Sequence, residues 1–182
     1  MKVYKNNYEY YDEIGKESFK QWCSYQYWCS FNRKSKPGYA KWDVSYISGD
    51  SKSNISIIGE IKIRKGNKSS DYSNWFLEVD KYESLKLIKE SSTKETYIHY
   101  INIYEDNTIQ IWNITDLKHL ISTKRYMNKQ TMGNDTKIEK NVYLLDNKDV
   151  IFKGNFNIED IKEEQNYITD YNNKLKDLYE NY

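Results

Sequence analysis

The strongest constraint on the fold is a run of β-branched residues that also carries one acid and one amine. Residues 55–63 read ISIIGEIKI, with five isoleucines and the period of two that a strand requires. Such a strand belongs in a core, where a charged side chain is costly unless it is paired or binds a ligand. Glu60 and Lys62 therefore mark this strand as the centre of a candidate site.

A second strand precedes this one. Residues 42–48, WDVSYIS, alternate in the same way, and segment 49–54 is rich in the Gly, Asp, Ser and Asn of turns. The two strands are expected to form a hairpin that brings Asp43 towards Glu60. Two carboxylates are hard oxygen ligands of the kind that Mg²⁺ takes, with water and phosphate oxygens completing its shell. Lys62 would lie beside that ion, where an ammonium stabilises phosphate charge or orients an attacking water.

At these residues the sequence resembles the PD-(D/E)XK nuclease superfamily. The motif here is Asp43, a hairpin and then Glu60-Ile61-Lys62, with Trp42 where the family's proline precedes the first acid. The resemblance implies an α/β protein with a restriction endonuclease-like core, in which a central mixed β-sheet is flanked by helices. It also implies metal-dependent hydrolysis of DNA. Asp43, Glu60 and the main-chain carbonyl of Ile61 would bind Mg²⁺, for which Mn²⁺ would substitute, and Lys62 would be the catalytic lysine.

A first helix is expected over about 12–30, because an apolar stripe with helical spacing starts at Phe19. In the resembled family an acid on the first helix often completes the metal site, which makes Glu17 a candidate catalytic residue. An acid favoured by the helix dipole is the simpler alternative. Cys23 and Cys29 lie six apart on this predicted helix, so they are not expected to share a face, and we interpret them as free thiols. No zinc-site spacing is present.

Three groups of cations are candidates for contacts with the DNA backbone. One group precedes the hairpin, one lies on a helix that follows it, and one lies in segment 124–134, which is expected to be a polar loop. Each of these cations could also be an ordinary solvated side chain. The candidates are Lys34, Lys36, Lys81, Lys124, Arg125 and Lys129.

The other elements follow from the periodicity and the turn residues between them. His99 falls within an apolar strand and is interpreted as a core histidine. The C-terminal helix could cap the fold or pair with a second copy in a homodimer. The expected elements are a strand running into a helix over 75–89, a hairpin over 96–112, a short helix over 116–121, a strand over 137–145 and a charged helix over 158–182.

Length and composition limit the classes of protein to which this chain can belong. The 182 residues suit a single domain, with its core over about 12–150 and the C-terminal helix attached, and 19 Tyr, 5 Trp and 5 Phe argue against disorder. The net charge of +1 leaves DNA binding to local clusters of cations. No apolar run could span a membrane or form a signal peptide, so we expect a soluble, cytoplasmic protein, in a host cell if it is phage-encoded.

Two classes of function stay open. The first is a metal-dependent DNA endonuclease, restriction-like or processing phage or mobile-element DNA, with a Holliday-junction resolvase of the same fold as an alternative. The second is a nucleic-acid-binding module whose site is catalytically silent. Sugar hydrolysis by Asp43 and Glu60 is weaker, because it gives Lys62 no role.

Overall fold

The computed structural model describes residues 7–26, 28–35, 41–49, 55–117, 120–130 and 134–155. Within these ranges the chain forms a mixed α/β fold, with two helices, nine strands and one turn of 3-10 helix at Asn147–Asp149. The elements in chain order are α1 (Asn7–Ser24), β1 (Cys29–Lys34), β2 (Val44–Ser48), β3 (Ile55–Arg64), β4 (Asn74–Glu78), α2 (Val79–Glu90), β5 (Thr96–Tyr104), β6 (Thr108–Asn113), β7 (Thr123–Gln130), β8 (Asn134–Asp146) and β9 (Phe152–Asn155).

The strands form two sheets. Six of them make a mixed sheet in the order β1-β2-β3-β5-β6-β9, in which β3 and β5 are parallel and every other neighbouring pair is antiparallel. Strands β3 and β5 can run parallel because the chain between them, through β4 and α2, returns to the end of the sheet at which β3 begins. The other three strands form an antiparallel sheet in the order β4-β8-β7.

Two apolar clusters cover the two faces of the large sheet. Helix α1 packs on one face through Ile14, Phe19 and Trp22. Helix α2 packs on the other through Tyr82 and Leu85, together with apolar side chains of β4 and β8. The side chains of β3 alternate between the two clusters, so Glu60 and Lys62 share the α2 side of the sheet. None of the helices in the described ranges is long and apolar enough to cross a bilayer.

The hairpin predicted around the two acids is confirmed. Strands β2 and β3 are antiparallel, and Val44 lies opposite Gly59. Asp43 stands immediately before β2, and its backbone N–H donates to the carbonyl oxygen of Gly59 at 2.8 Å. The register therefore sets the two acids at the same end of neighbouring strands.

The strand and helix over 75–89, the hairpin over 96–112 and the strand over 137–145 are also confirmed. His99 is a buried core residue, as predicted. It contacts the hydroxyl of Tyr46, and burial lowers the pKa of His99 to about 4.

Four sequence predictions are wrong or incomplete. The first helix ends at Ser24 rather than at residue 30, because the chain turns back and Cys29 opens β1. That turn brings the two cysteines together, with 2.8 Å between the Sγ atoms of Cys23 and Cys29, so the prediction that they do not share a face fails. The described part of 116–121 is not helical, and the predicted loop over 124–134 is mostly strand β7.

Strand β9 was not predicted at all. It pairs with β6 at the edge of the large sheet, and the Phe152 ring packs 5.0 Å from Trp22 and 5.6 Å from Trp28, measured between ring centroids. The helix predicted over 158–182 lies outside the described residues.

We expect Gly59→Ala to destabilise the protein by about 1–3 kcal/mol, the usual effect of overpacking a core. A Cβ atom at Gly59 would lie 2.9 Å from both Val44 Cγ2 and Ile101 Cδ1, which is closer than real Cβ contacts. Urea unfolding of the single variants and of Gly59→Ala/Val44→Ala measures the effect. The double variant should lose less than the sum of the two single losses, because the smaller side chain makes room. Additive losses would contradict this account.

Candidate active site

Glu60 is the most deeply buried acid on the α2 side of the large sheet. Its side chain is 2% exposed, and both carboxylate oxygens face ammonium groups: Oε1 lies 2.7 Å from Lys62 Nζ, and Oε2 lies 2.7 Å from Lys81 Nζ. Burial raises the pKa of Glu60, but the two ammonium groups together outweigh it, so the net shift is downward. Glu60 is therefore ionised in the folded protein.

The two lysines reach Glu60 from different elements. Lys62 follows Glu60 on the same face of β3, and Lys81 lies in the first turn of α2. The charge of Glu60 raises the pKa of Lys62, against the opposing effect of burial, so Lys62 stays protonated. Its side chain is 43% exposed, whereas Lys81 is 26% exposed. The ammonium groups thus hold the acid while part of each side chain remains open to solvent.

Asp43 is the second acid of the site. Its Oδ2 accepts a hydrogen bond of 2.7 Å from the backbone N–H of Ile61, which fixes the carboxylate beside β3. Burial, and then the charge of Glu60, raise the pKa of Asp43 to about 7. The Ile61 N–H, Lys62 and Lys81 oppose this rise without cancelling it. The two acids predicted to act together are therefore close enough to influence each other's ionisation.

Lys16 is a site residue that the sequence reasoning missed. It lies on α1 and is 2% exposed, with its Nζ 2.6 Å from Asp12 Oδ2 and 3.9 Å from Asp43 Oδ1. Gly15 allows this approach, because a Cβ atom there would lie 3.1 Å from Ile61 Cγ2 and 3.3 Å from Ile63 Cγ1, closer than most real Cβ contacts. Lys16 stands one turn before Phe19 on the apolar stripe of α1, and a lysine in that position was the available signal.

A second ionic cluster lies next to Asp43. Lys34, at the end of β1, contacts the carboxylates of both Glu13 and Glu17. The backbone N–H of Ser35 donates to the carbonyl oxygen of Asp43 at 2.7 Å, which ties the end of β1 to the site. Of the two acids that Lys34 contacts, Glu13 is the buried one, although Glu17 was the predicted site residue. The roles predicted for Glu17 at the metal and for Lys34 at DNA stay predictions.

The remaining cation candidates lie elsewhere. Lys124 and Arg125 are on β7, where Lys124 pairs with Glu139 at 2.6 Å. Lys129 is on the same strand, but the placement of its side chain is outside the described part of the structure, and Lys36 lies outside the described residues altogether. The structure thus brings Lys81 to the acids and leaves the cations of β7 on a different sheet.

The donors at the site suit a hard cation held by few protein ligands. They are the carboxylates of Asp43 and Glu60, with the main-chain carbonyl of Ile61 as the third donor predicted from the resemblance. Mg²⁺ usually takes one or two carboxylates and keeps its remaining positions for water and phosphate. Among the described residues there is no cluster of three or more His, Cys, Asp or Glu that could hold a metal. The oxygen donors therefore fit Mg²⁺, and a site built wholly from protein side chains is not found in the described ranges.

We expect Asp43→Asn to stabilise the protein in EDTA at pH 8, by up to about 4 kcal/mol. Because the pKa of Asp43 is raised to about 7, the folded protein binds its proton more tightly than the unfolded chain does, and stability falls as pH rises from about 4 to 7. Asparagine stays neutral and can still accept the Ile61 N–H. Urea unfolding at pH 4, 6 and 8 measures the difference, which should vanish at pH 4.

Asp71→Asn is the matched control. Asp71 also accepts one backbone N–H, from Lys68 at 2.6 Å, but its side chain is exposed. Its substitution should therefore change stability little over the same pH range. A loss of stability in Asp43→Asn at pH 8 would show that the carboxylate is structural.

Comparison with known proteins adds no further assignment. The chain matches no family model, no curated protein and no solved structure.

Proposed function

We propose that this protein is a metal-dependent DNA endonuclease that hydrolyses phosphodiester bonds with Asp43, Glu60 and Lys62. One observation carries the proposal: two buried carboxylates meet at neighbouring strand positions, and the side chain of Lys62 extends from the same face of β3 towards solvent. Carboxylate pairs beside a lysine are suited to a divalent cation and a phosphate.

The order of elements supports a restriction endonuclease-like core. Helix α1, the antiparallel strands β2 and β3, helix α2 and then β5 and β6 follow in the order expected from the resemblance, with β2, β3, β5 and β6 adjacent in one sheet. The helices lie on opposite faces of that sheet. Strands β1 and β9 extend it at its two edges, and the β4-β8-β7 sheet is an addition on the α2 side.

Under this proposal, some residues of the site bind a cation and others contact the phosphate. Asp43, Glu60 and the carbonyl of Ile61 would hold Mg²⁺ or Mn²⁺. The cation supplies positive charge that stabilises the phosphate in the transition state and makes a nearby water more acidic. The Ile61 N–H orients Asp43, and Lys62 and Lys81 keep Glu60 ionised.

Lys62 is suited to act on the substrate itself. It remains protonated, is partly exposed and stands beside the acid pair, so its ammonium can donate hydrogen bonds to a phosphate oxygen or orient the attacking water. Lys81 can bind a second phosphate oxygen from the α2 side. Lys16 counters the charge of Asp43 from the α1 side and would position that acid rather than touch the substrate.

A second candidate function is a DNA-binding module of the same fold that does not cleave. One observation favours it: Glu60 already has an ammonium at each carboxylate oxygen, so the acid is neutralised without a metal ion. Measurements of DNA cleavage and of metal binding distinguish the two candidate functions.

We expect Asp43→Ala and Glu60→Ala to abolish both Ca²⁺ binding and Mg²⁺-dependent cleavage, because each removes a carboxylate ligand. Lys62→Ala should keep Ca²⁺ binding and lose cleavage by at least about 100-fold, the usual loss when a charge-stabilising donor is removed. Calorimetry measures the binding of Ca²⁺, which activates water poorly. Cleavage is measured on plasmid, linear duplex, single-stranded DNA and a four-way junction in Mg²⁺, Mn²⁺ or EDTA.

Lys86→Ala serves as the control. Lys86 lies on α2 like Lys81, but it pairs with Glu83 at 4.0 Å and is 44% exposed. This variant should cleave at the rate of the unsubstituted protein. The preferred substrate distinguishes a junction resolvase from an enzyme that cuts linear duplex. DNA binding without cleavage on any substrate would overturn the nuclease and favour the binding module.

A further inference from the structure

Strands β7 and β8 extend beyond the sheet to which they belong. Strand β4 pairs with β8 only as far as Val142, which lies opposite Glu78, whereas β7 continues to pair with β8 from Val142 back towards Asn134. The segments Lys124–Asn128 and Lys137–Asn141 are thus a two-stranded antiparallel ribbon, called the ribbon below. Two-stranded hairpins are marginally stable alone, so a long one that projects from a sheet calls for an explanation.

One face of the ribbon is anchored to the body of the protein. The guanidinium of Arg125 lies 5.7 Å from the centroid of the Phe76 ring, and Lys140 Nζ lies 2.9 Å from Glu78 Oε2. Arg125 and Lys140 are opposite each other in the register, so they share this face. Both anchors are on β4, at the base of the ribbon.

The opposite face, called the outer face, is turned to solvent. Every side chain on it is exposed, and Tyr126 is 75% exposed. Because residues opposite each other in an antiparallel pair share a face, β7 and β8 contribute three residues each. The outer face consists of Lys124, Tyr126, Asn128, Lys137, Glu139 and Asn141.

The chemistry of the outer face favours duplex DNA over other occupants. The outer face carries two lysines, Lys124 and Lys137, against one acid, Glu139, which pairs with Lys124 at 2.6 Å, so the face has an excess of positive charge that suits phosphates. Asparagine and lysine are side chains that bond to base edges and phosphates. The centres of protein–protein interfaces are depleted in Lys and Glu, and single strands are bound by several stacked aromatic rings, whereas Tyr126 is the one aromatic on this face.

The dimensions of the ribbon suit the major groove. Two paired strands stand about 4.8 Å apart, and the five residues of each strand of the ribbon span about 17 Å. The major groove of B-DNA is about 12 Å wide and admits a two-stranded ribbon, whereas the minor groove is only about 6 Å wide and must be widened to take one.

The base of the ribbon is joined directly to the candidate active site. Glu78, which anchors Lys140, stands immediately before α2, and Lys81 in the first turn of that helix contacts Glu60. The carbonyl oxygen of Phe76, the other anchor, accepts a hydrogen bond of 3.0 Å from Tyr100, which lies opposite Glu60 in the β3–β5 register. A duplex held by the ribbon would therefore be held by an element whose base is bonded to the site.

We propose that the outer face of the ribbon enters the major groove of double-stranded DNA and positions the duplex for the site. The inference rests on the proposed function for its biological meaning, but duplex binding can be tested without cleavage. Binding of a fluorescent 25-base-pair duplex is followed by anisotropy in EDTA at several salt concentrations. The test variant is Lys124→Ala/Lys137→Ala. The control, Lys86→Ala/Lys148→Ala, also removes two exposed lysines that pair with nearby acids, away from the ribbon.

The test variant should bind the duplex at least about tenfold more weakly, and its slope of log affinity against log salt should fall by about two, since two phosphate contacts are lost. The control should bind like the unsubstituted protein. Tyr126→Ala and Asn128→Ala should reduce the protection of guanine N7, in the major groove, from dimethyl sulfate and leave adenine N3, in the minor groove, unchanged.

Equal weakening in the test and control variants would overturn the inference and assign the ribbon lysines to solubility at an exposed sheet edge. Protection of the minor groove alone, or no duplex binding by the unsubstituted protein, would also overturn it. Duplex binding that depends on the ribbon lysines, without cleavage in Mg²⁺, would support DNA binding by the ribbon and overturn the proposed nuclease activity. If the ribbon variants bind the duplex as tightly as the unsubstituted protein and the protein cleaves DNA, the proposed nuclease is supported and the role of the ribbon is overturned.

Discussion

The contact of Glu60 with Lys62 and Lys81 is the interaction on which the site depends. An ionised carboxylate at 2% exposure is strongly unfavourable in a strand of isoleucines unless cations compensate for the lost hydration. Lys62 comes from the same strand, but Lys81 requires α2 to begin directly beside β3. The crossover from β3 through β4 and α2 to β5 is thus fixed both by apolar packing and by this charge.

The pKa values of the two acids of the site are shifted in opposite directions. Glu60 is held ionised by two lysines, whereas Asp43, which is also buried, is left with a pKa raised to about 7. The compensating groups for Asp43 are weaker, a single N–H at 2.7 Å and the Lys16 ammonium at 3.9 Å. Such an under-compensated carboxylate lowers the stability of the fold, and carboxylates with strongly perturbed pKa values cluster at functional sites.

The sequence predicted those parts of the fold whose side chains face a core. In β3, β5 and β6, apolar residues either alternate with polar ones or form continuous stretches rich in β-branched residues. The positions of these strands and the pairing of Asp43 with Glu60 therefore followed from periodicity. Strand β7 did not follow, because its outer face is polar and exposed and its anchored face begins with a cation, Arg125, rather than an apolar stripe; its strand conformation depends on pairing with β8. Lys16 was missed for a related reason, since its burial depends on how α1 packs on the sheet, which the sequence does not specify for a charged residue.

The lysines around the acids also bear on how a cation and a substrate would bind under the proposed function. Each oxygen of Glu60 faces an ammonium, so a dication must compete with charges already present. A phosphodiester brings its own negative charge, and a lysine that turns towards the phosphate leaves a carboxylate oxygen open. Because Lys62 is the more exposed of the two, it can turn with the smaller rearrangement. Cation and DNA would therefore bind cooperatively, and the coupling would be carried by Lys62.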